Sequence, residues 1–298
     1  MPGPVLVGVD GSGEGAAALG RMLASLTGAP LALGAVYGYE SSSLAWPPRD
    51  EADAWLAAAR REPDERTHLM LASSVAGGLA ALAAREGAQI VVLGSSSRGP
   101  LGRLLAGSTA QRVIHGAPCT VAVAPRGWRT TGLPRTILAA VDDGSEAIGA
   151  LATAARLATA ADARLRAVNV VHQPSPAHPL FSVIDTSYGD WCAARRAACE
   201  RIVRDAAAAA GAEPEIVIAE GDPVSRLAEL SRTADLLVVG SRRYGPLRTV
   251  LLGGVSWPLL ERAACPVLIV PRVSGDRAAP ALHPAAAATD RTAEETRA

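Results

Sequence analysis

The segment "GSSSRGPLGRLLAGST", residues 94–109, carries residue types suited to holding a phosphate. It is rich in Gly and Ser, leaves the apolar run "AQIVVL" at Gly94, and enters the helical stretch "STAQRVIHG" at Gly107-Ser108. A helix N-terminus offers free backbone N–H groups and a positive dipole end, so anions bind there. Small residues let the backbone approach phosphate oxygens closely. Ser108 fits a helix N-cap, and its hydroxyl can also donate to an oxygen. On this loop alone, a plain strand-to-helix connection with a serine cap fits equally well. It is not a Walker A loop: Gly94-x4-Gly99 has the first spacing, but Pro100-Leu101 stands where Lys-Ser/Thr is required. Nor is it a GxGxxG fingerprint, because it follows the fourth strand rather than the first. A second segment, "GSRRYGPLRTVLLGGVS" at 240–256, follows the similar run "ADLLVV".

Other chemistry is narrowed by what is absent. The chain has no Lys, which removes Schiff-base chemistry and the P-loop lysine. There is no nucleophile–base–orienter set, no GxSxG and no HExxH, so a dedicated enzyme is not expected; weak ATP hydrolysis is left open. His172 and His178 flank "QPSPA" without further ligands at metal spacing, so no metal site is expected. Cys119, Cys192, Cys199 and Cys265 form no CxxC pair, and all four are expected to pack in the interior. Asp142 and Asp143 are adjacent at a strand end and point apart, against an acid–base pair. With 29 basic and 29 acidic residues, no nucleic-acid footprint is expected. The start "MPGPVLVGVD" lacks a signal-peptide pattern, and no apolar run reaches the roughly 18 residues of a membrane span. The expectation is a cytoplasmic protein without membrane contact.

The elements that position these loops occur twice. "VLVGVDGSGEGAAAL" (5–19) lies over "ILAAVDDGSEAIGAL" (137–151) without a gap, "IVVLGSSSRGPLGRLLAGST" (90–109) over "LLVVGSRRYGPLRTVLLGGV" (236–255), and "APCTVAVAP" (117–125) over "AACPVLIVP" (263–271). The same order in both halves indicates a tandem duplication. Units are expected at 1–127 and 136–272, joined by the polar "RGWRTTGLPR" (126–135). The tail 273–298 has no apolar period and is expected to be disordered. In the first half, apolar runs at 4–9, 31–36, 68–72, 89–93 and 119–124 alternate with Ala-rich helical stretches, including "EADAWLAAARRE". Strands alternating with helices make βαβ units. The fold class is therefore α/β, with two tandem doubly wound five-stranded parallel-sheet domains. In the order 3-2-1-4-5, strands 1 and 4 flank the switch point where ligands bind. Asp10 ends the first strand and Gly94 the fourth, so the two loop-rich motifs converge.

Taken together, "VGVDGS", "GSSSRGPLGRLLAGS" and "HGAPCTVAVAP" resemble the universal stress protein family in its tandem form. The resemblance covers both halves. It implies that the final strands "TVAVA" and "PVLIV" pair antiparallel, covering two apolar edges. It further implies an adenine nucleotide, ATP with or without magnesium, held by the family motif G-x2-G-x9-G-[S/T]. Gly94, Gly107 and Ser108 match that motif, with Thr109 following; Ser97 stands at the second glycine and Arg98 is beside it. If that position needs positive φ, Ser costs on the order of 1 kcal/mol relative to Gly. Asp10, with Gly11 and Ser12, occupies the position facing the adenosine, and Val36 the strand-2 position that contacts adenine.

The second copy departs further. Asp142 and Gly240 are kept, Gly253 matches, and Val168 is aligned with Val36. Arg243 stands at the second glycine, and Gly254 replaces the Ser/Thr, although Ser256 is close by. Arg243 either fills the phosphate pocket or serves as a phosphate ligand. The expected function is a stress-response or regulatory protein with nucleotide in its first half. The alternative is a structural or interaction module of the same fold without nucleotide. An adenylate-forming enzyme would carry an SGGxDS-like loop after strand 1, which "VDGSGEG" does not match. A homodimer is left open.

Overall fold

A computed structural model describes residues 3–11, 14–38, 47–95, 108–117, 119–130, 132–172, 187–241 and 256–271. In the first half, β1 (Val5–Gly8), β2 (Leu31–Tyr37), β3 (Arg66–Leu71), β4 (Ile90–Gly94) and β5 (Thr120–Ala124) alternate with α1 (Gly15–Thr27), α2 (Arg49–Ala59), α3 (Val75–Glu86) and α4 (Ser108–Gly116). The second half repeats this with β6 (Thr136–Ala140), α5 (Ser145–Ala161), β7 (Arg164–Val171), α6 (Tyr188–Ala210), β8 (Glu215–Glu220), α7 (Pro223–Leu230), β9 (Leu236–Gly240), α8 (Ser256–Arg262) and β10 (Val267–Val270). The sequence pattern accounts for these elements. Buried positions of α1 such as Ala16, Leu19, Gly20 and Leu23 recur at helical spacing, and Gly28 ends the helix at φ 63. The Ser74 hydroxyl caps α3 by accepting from the Gly77 N–H at 3.0 Å. β3 begins two residues before its apolar run; it is a sheet edge, so Arg66 and Thr67 stand exposed.

All ten strands form one sheet, ordered β3-β2-β1-β4-β5-β10-β9-β6-β7-β8. Each half has the order 3-2-1-4-5, and every pairing within a half is parallel. The halves join through β5 and β10, which pair antiparallel with Ala122 opposite Leu268, Val121 opposite Ile269 and Val123 opposite Val267. Ala122 and Leu268 are equivalent positions of the repeat. The junction therefore has a local two-fold relation through that pair. Side chains alternate between the faces, as strand geometry requires. Val5 and Val7 enter one core cluster with α1, α2, α5 and α6, while Leu6 enters the other with α3, α4, α7 and α8. Both clusters contain residues of both halves, and α1 packs against α5. The core on each face runs through the junction.

Candidate functional site

The chains leaving β1 and β4 diverge, since β1 pairs with β2 and β4 with β5. This opens a crevice at their carboxyl ends. The Val9 N–H donates to Gly34 O at 2.9 Å, continuing the pairing of β1 and leaving Asp10 exposed at the mouth. Gly11 follows with φ +71, and a Cβ there would lie 2.5 Å from Trp55 Nε1. The α2 indole thus packs on the glycine backbone, and both conformation and space require glycine. Across the crevice, the Ser95 N–H donates to Ala124 O at 3.0 Å, tying the loop after β4 to the end of β5. The Ser95 hydroxyl is buried and has no hydrogen-bond partner among the described residues.

A cavity of about 520 Å³ occupies this crevice, with Asp10, Gly11, Gly94 and Ser95 in its lining and Trp55, Trp128 and Arg126 around them. It adjoins a second cavity of about 520 Å³ running over α1, and the two share Glu14, Arg21, Arg61, Trp128 and Arg129. Two of these arginines are organised by one carboxylate behind the wall. Glu65 accepts from Arg21 Nε at 2.6 Å and from Arg21 Nη2 at 3.1 Å, and from the Arg61 N–H at 2.8 Å. Arg21 Nη2 also donates to Ala59 O at 2.6 Å, and Arg61 pairs with Glu14 at 3.0 Å. Burial alone would raise the Glu65 pKa, but the Arg21 hydrogen bond and charge and the backbone donors hold it below the ordinary value of 4.5.

Among the residues singled out from sequence, Asp10, Gly11 and Gly94 meet at this cavity. Ser108 and Thr109 open α4. Val36 lies in β2, but its side chain is buried beneath α3: a Cβ on Gly78 would stand 2.8 Å from Val36 Cγ1. Ser12, Ser97, Arg98 and Gly107, with Arg243 and Gly253 of the second half and the tail 273–298, lie outside the described residues. Trp55, Trp128, Arg61 and Arg129 were missed. Trp128 had a signal. A tryptophan inside a polar connector is unusual in a chain with 3% aromatics.

The second half follows the same plan with local departures. The Val141 N–H donates to Val168 O at 2.8 Å, as Val9 does to Gly34. Val168 is therefore the counterpart of Gly34, and Val170 is the counterpart of Val36; the gap-free overlay slipped by two because α5 runs two residues further past the overlay before its cap, Asp162, than α1 does before Gly28. Asp142 Oδ1 accepts from the Gly144 N–H at 3.0 Å. The first turn of α5 then lies against the end of β9, where a Cβ on Gly240 would meet Glu146 O at 3.0 Å. Ser256 opens α8.

Cys119, Cys199 and Cys265 are buried as expected, and desolvation pushes the thiols of Cys119 and Cys265 up to about 12. Cys192 is only half-buried, since the first turns of α6 lie outside the core that begins at Cys199. Among the described residues, no group of three or more His, Cys, Asp or Glu is placed to hold a metal, and no helix is long and apolar enough to cross a membrane.

The chain is thus two fused doubly wound α/β units with a crevice at the β1/β4 switch point, the place where ligands bind in sheets of this class. A sequence profile of the universal stress protein family matches residues 1–125 and 134–271. The chain belongs to that family. It is 28% identical over 292 residues to universal stress protein Rv2005c of Mycobacterium tuberculosis, covering 89% of this chain and 96% of the relative. Among solved structures it is similar to the functionally unknown protein PA1789 of Pseudomonas aeruginosa PAO1, with a TM-score of 0.65, 20% identity, and coverage of 91% of this chain and 93% of that one. A universal stress protein of Archaeoglobus fulgidus matches with a TM-score of 0.55 at 18% identity, over 91% of this chain and 96% of its own.

Proposed function

We propose that the first half binds an adenine nucleotide, ATP or a close relative, where β1 and β4 end. The chain then acts as a stress-response or regulatory protein that senses this ligand rather than consuming it. One observation carries the reading: Asp10, Gly11 and Gly94 line a single cavity of about 520 Å³. That size is within the range of about 300–1,000 Å³ typical of small-molecule sites. Cationic Arg126 and Arg129 in the same lining suit a phosphate tail. Magnesium would enter on the nucleotide's own phosphates, since the described residues offer no metal cluster. The units are taken as 1–127 and 136–272. In the second, the α5 turn against β9 and the bulk of Arg243 both oppose a ligand, so we expect about one nucleotide per chain.

Mass spectrometry of ligand released from the purified chain, followed by ATP titration, tests this. One adenine nucleotide per chain is expected, with affinity lost in Asp10→Ala. Stoichiometry near two that falls in Arg243→Gly would make Arg243 a ligand and reopen the second site. No binding at all would favour the second reading, an interaction module. That reading draws on the Trp55 indole seated on Gly11, which takes up part of the crevice, and on Ser97 in place of glycine.

A further inference from the structure

After β5 the chain turns back on itself. The Trp128 N–H donates to Pro125 O at 3.1 Å, with Gly127 at φ 71. The turn carries Trp128 against the start of α1, where a Cβ on Gly15 would stand 3.1 Å from Trp128 O. Trp128 is half-buried and packs on the core of that face, so the turn is anchored. Arg129 follows, exposed, in the lining of both cavities. Trp55 reaches the same cavity from α2, which packs on β2. In the sheet, β2 and β5 lie on opposite sides of β1 and β4, about 14 Å apart at the usual strand spacing. The connector therefore walls the crevice on the side of β4, and the bond from the Ser95 N–H to Ala124 O ties the end of β4 to the end of β5.

We infer that this connector is the cationic half of the anion site: Arg129 contacts the phosphate tail of the ligand, and Trp128 is the positioning residue that fixes Arg129 there. The inference rests on the nucleotide reading above and adds to it a phosphate contact outside both repeats. In a chain without lysine, the guanidinium groups are the side chains that stay positively charged at every physiological pH. The segment following β10 reads "PRVSG", so the counterpart of Trp128 is Ser274 and that of Arg129 is Gly275. The second half has no equivalent wall in its sequence.

Calorimetry of the full chain with ATP and with adenosine tests the assignment. Arg129→Gln should weaken ATP about tenfold, the scale of one charge-assisted hydrogen bond, and leave adenosine unchanged. Arg129→Lys should recover most of the loss. Trp128→Ala should show the same ATP-only loss, and Trp128→Phe should recover most of it. ATP affinity within twofold of native in Arg129→Gln overturns the inference, as does an equal loss for adenosine or a native chain that binds adenosine as tightly as ATP. Those results leave the nucleotide reading standing. A native chain that binds neither ligand overturns both.

Discussion

Glu65→Gln removes one negative charge behind the cavity wall and should destabilise the chain through a defined set of bonds. Glu65 is 6% exposed and accepts three hydrogen bonds, two from Arg21 and one from the Arg61 N–H. Glutamine has nearly the same shape, but its NH2 group must face one of these donors. The Arg21 guanidinium then loses its counter-charge while its side chain is only 26% exposed. Breaking a buried pair costs about 3–5 kcal/mol, and a single charge-assisted bond about 1.5–3. Arg21 retains some water and the Ala59 carbonyl, which sets the expectation at about 2–3 kcal/mol, near the lower of these ranges. Urea unfolding at pH 7 measures it. The pH dependence separates charge from packing. The Glu65 pKa is lower in the folded chain than its ordinary value of 4.5, so its stabilisation is complete above that value and is lost as pH falls through the folded pKa. The gap between native and variant should close in acid. Equal stability at pH 7, or a gap that persists undiminished in acid, would refute the reasoning.

Two further outcomes follow from the core. Leu268→Ala empties a fully buried site at the two-fold pair with Ala122 and should cost about 2–5 kcal/mol; unfolding probes in both halves should shift together, and a shift confined to the second half would mean that the junction does not couple them. With Ellman's reagent at pH 8, Cys192 should react promptly, whereas Cys119 and Cys265, buried with thiols up to about 12, should react only after denaturation; three fast thiols in the native chain would contradict their burial.

The strands and the repeat could be read from sequence because short apolar runs, turn residues and duplicated motifs are local signals, and the strand order followed from the common order of doubly wound sheets. The slip from Val170 to Val168 shows where such signals stop. The overlay is gap-free through residue 151, but the rest of α5, "ATAARLATAA", is alanine and threonine apart from Arg156 and Leu157, so no turn residue marks the added ones. Burial of Glu65 was equally hidden. It lies in "REPDERTH", which reads as a solvated charged turn, and only the docking of α1 brings Arg21 to it. Trp128 and Arg129 read as linker because their place depends on a turn after β5 and on the packing of α1, neither of which has a sequence period.

The antiparallel junction explains why a duplicated chain need not have two equal sites. β5 and β10 run in opposite directions, and within each half all strands run parallel. The carboxyl ends of the first half therefore lie at the same edge of the sheet as the amino ends of the second. A connector from β5 to β6 stays at that edge, where Asp235 Oδ2 fixes its far end by accepting from the Arg135 and Thr136 N–H groups at 2.8 and 2.9 Å. It passes the first crevice and cannot reach the second, which opens at the opposite edge. Covalent connection thus breaks the two-fold relation that the junction imposes. One crevice gains Trp128 and Arg129 as a wall, and the other is met by the lengthened α5, whose first turn lies on β9.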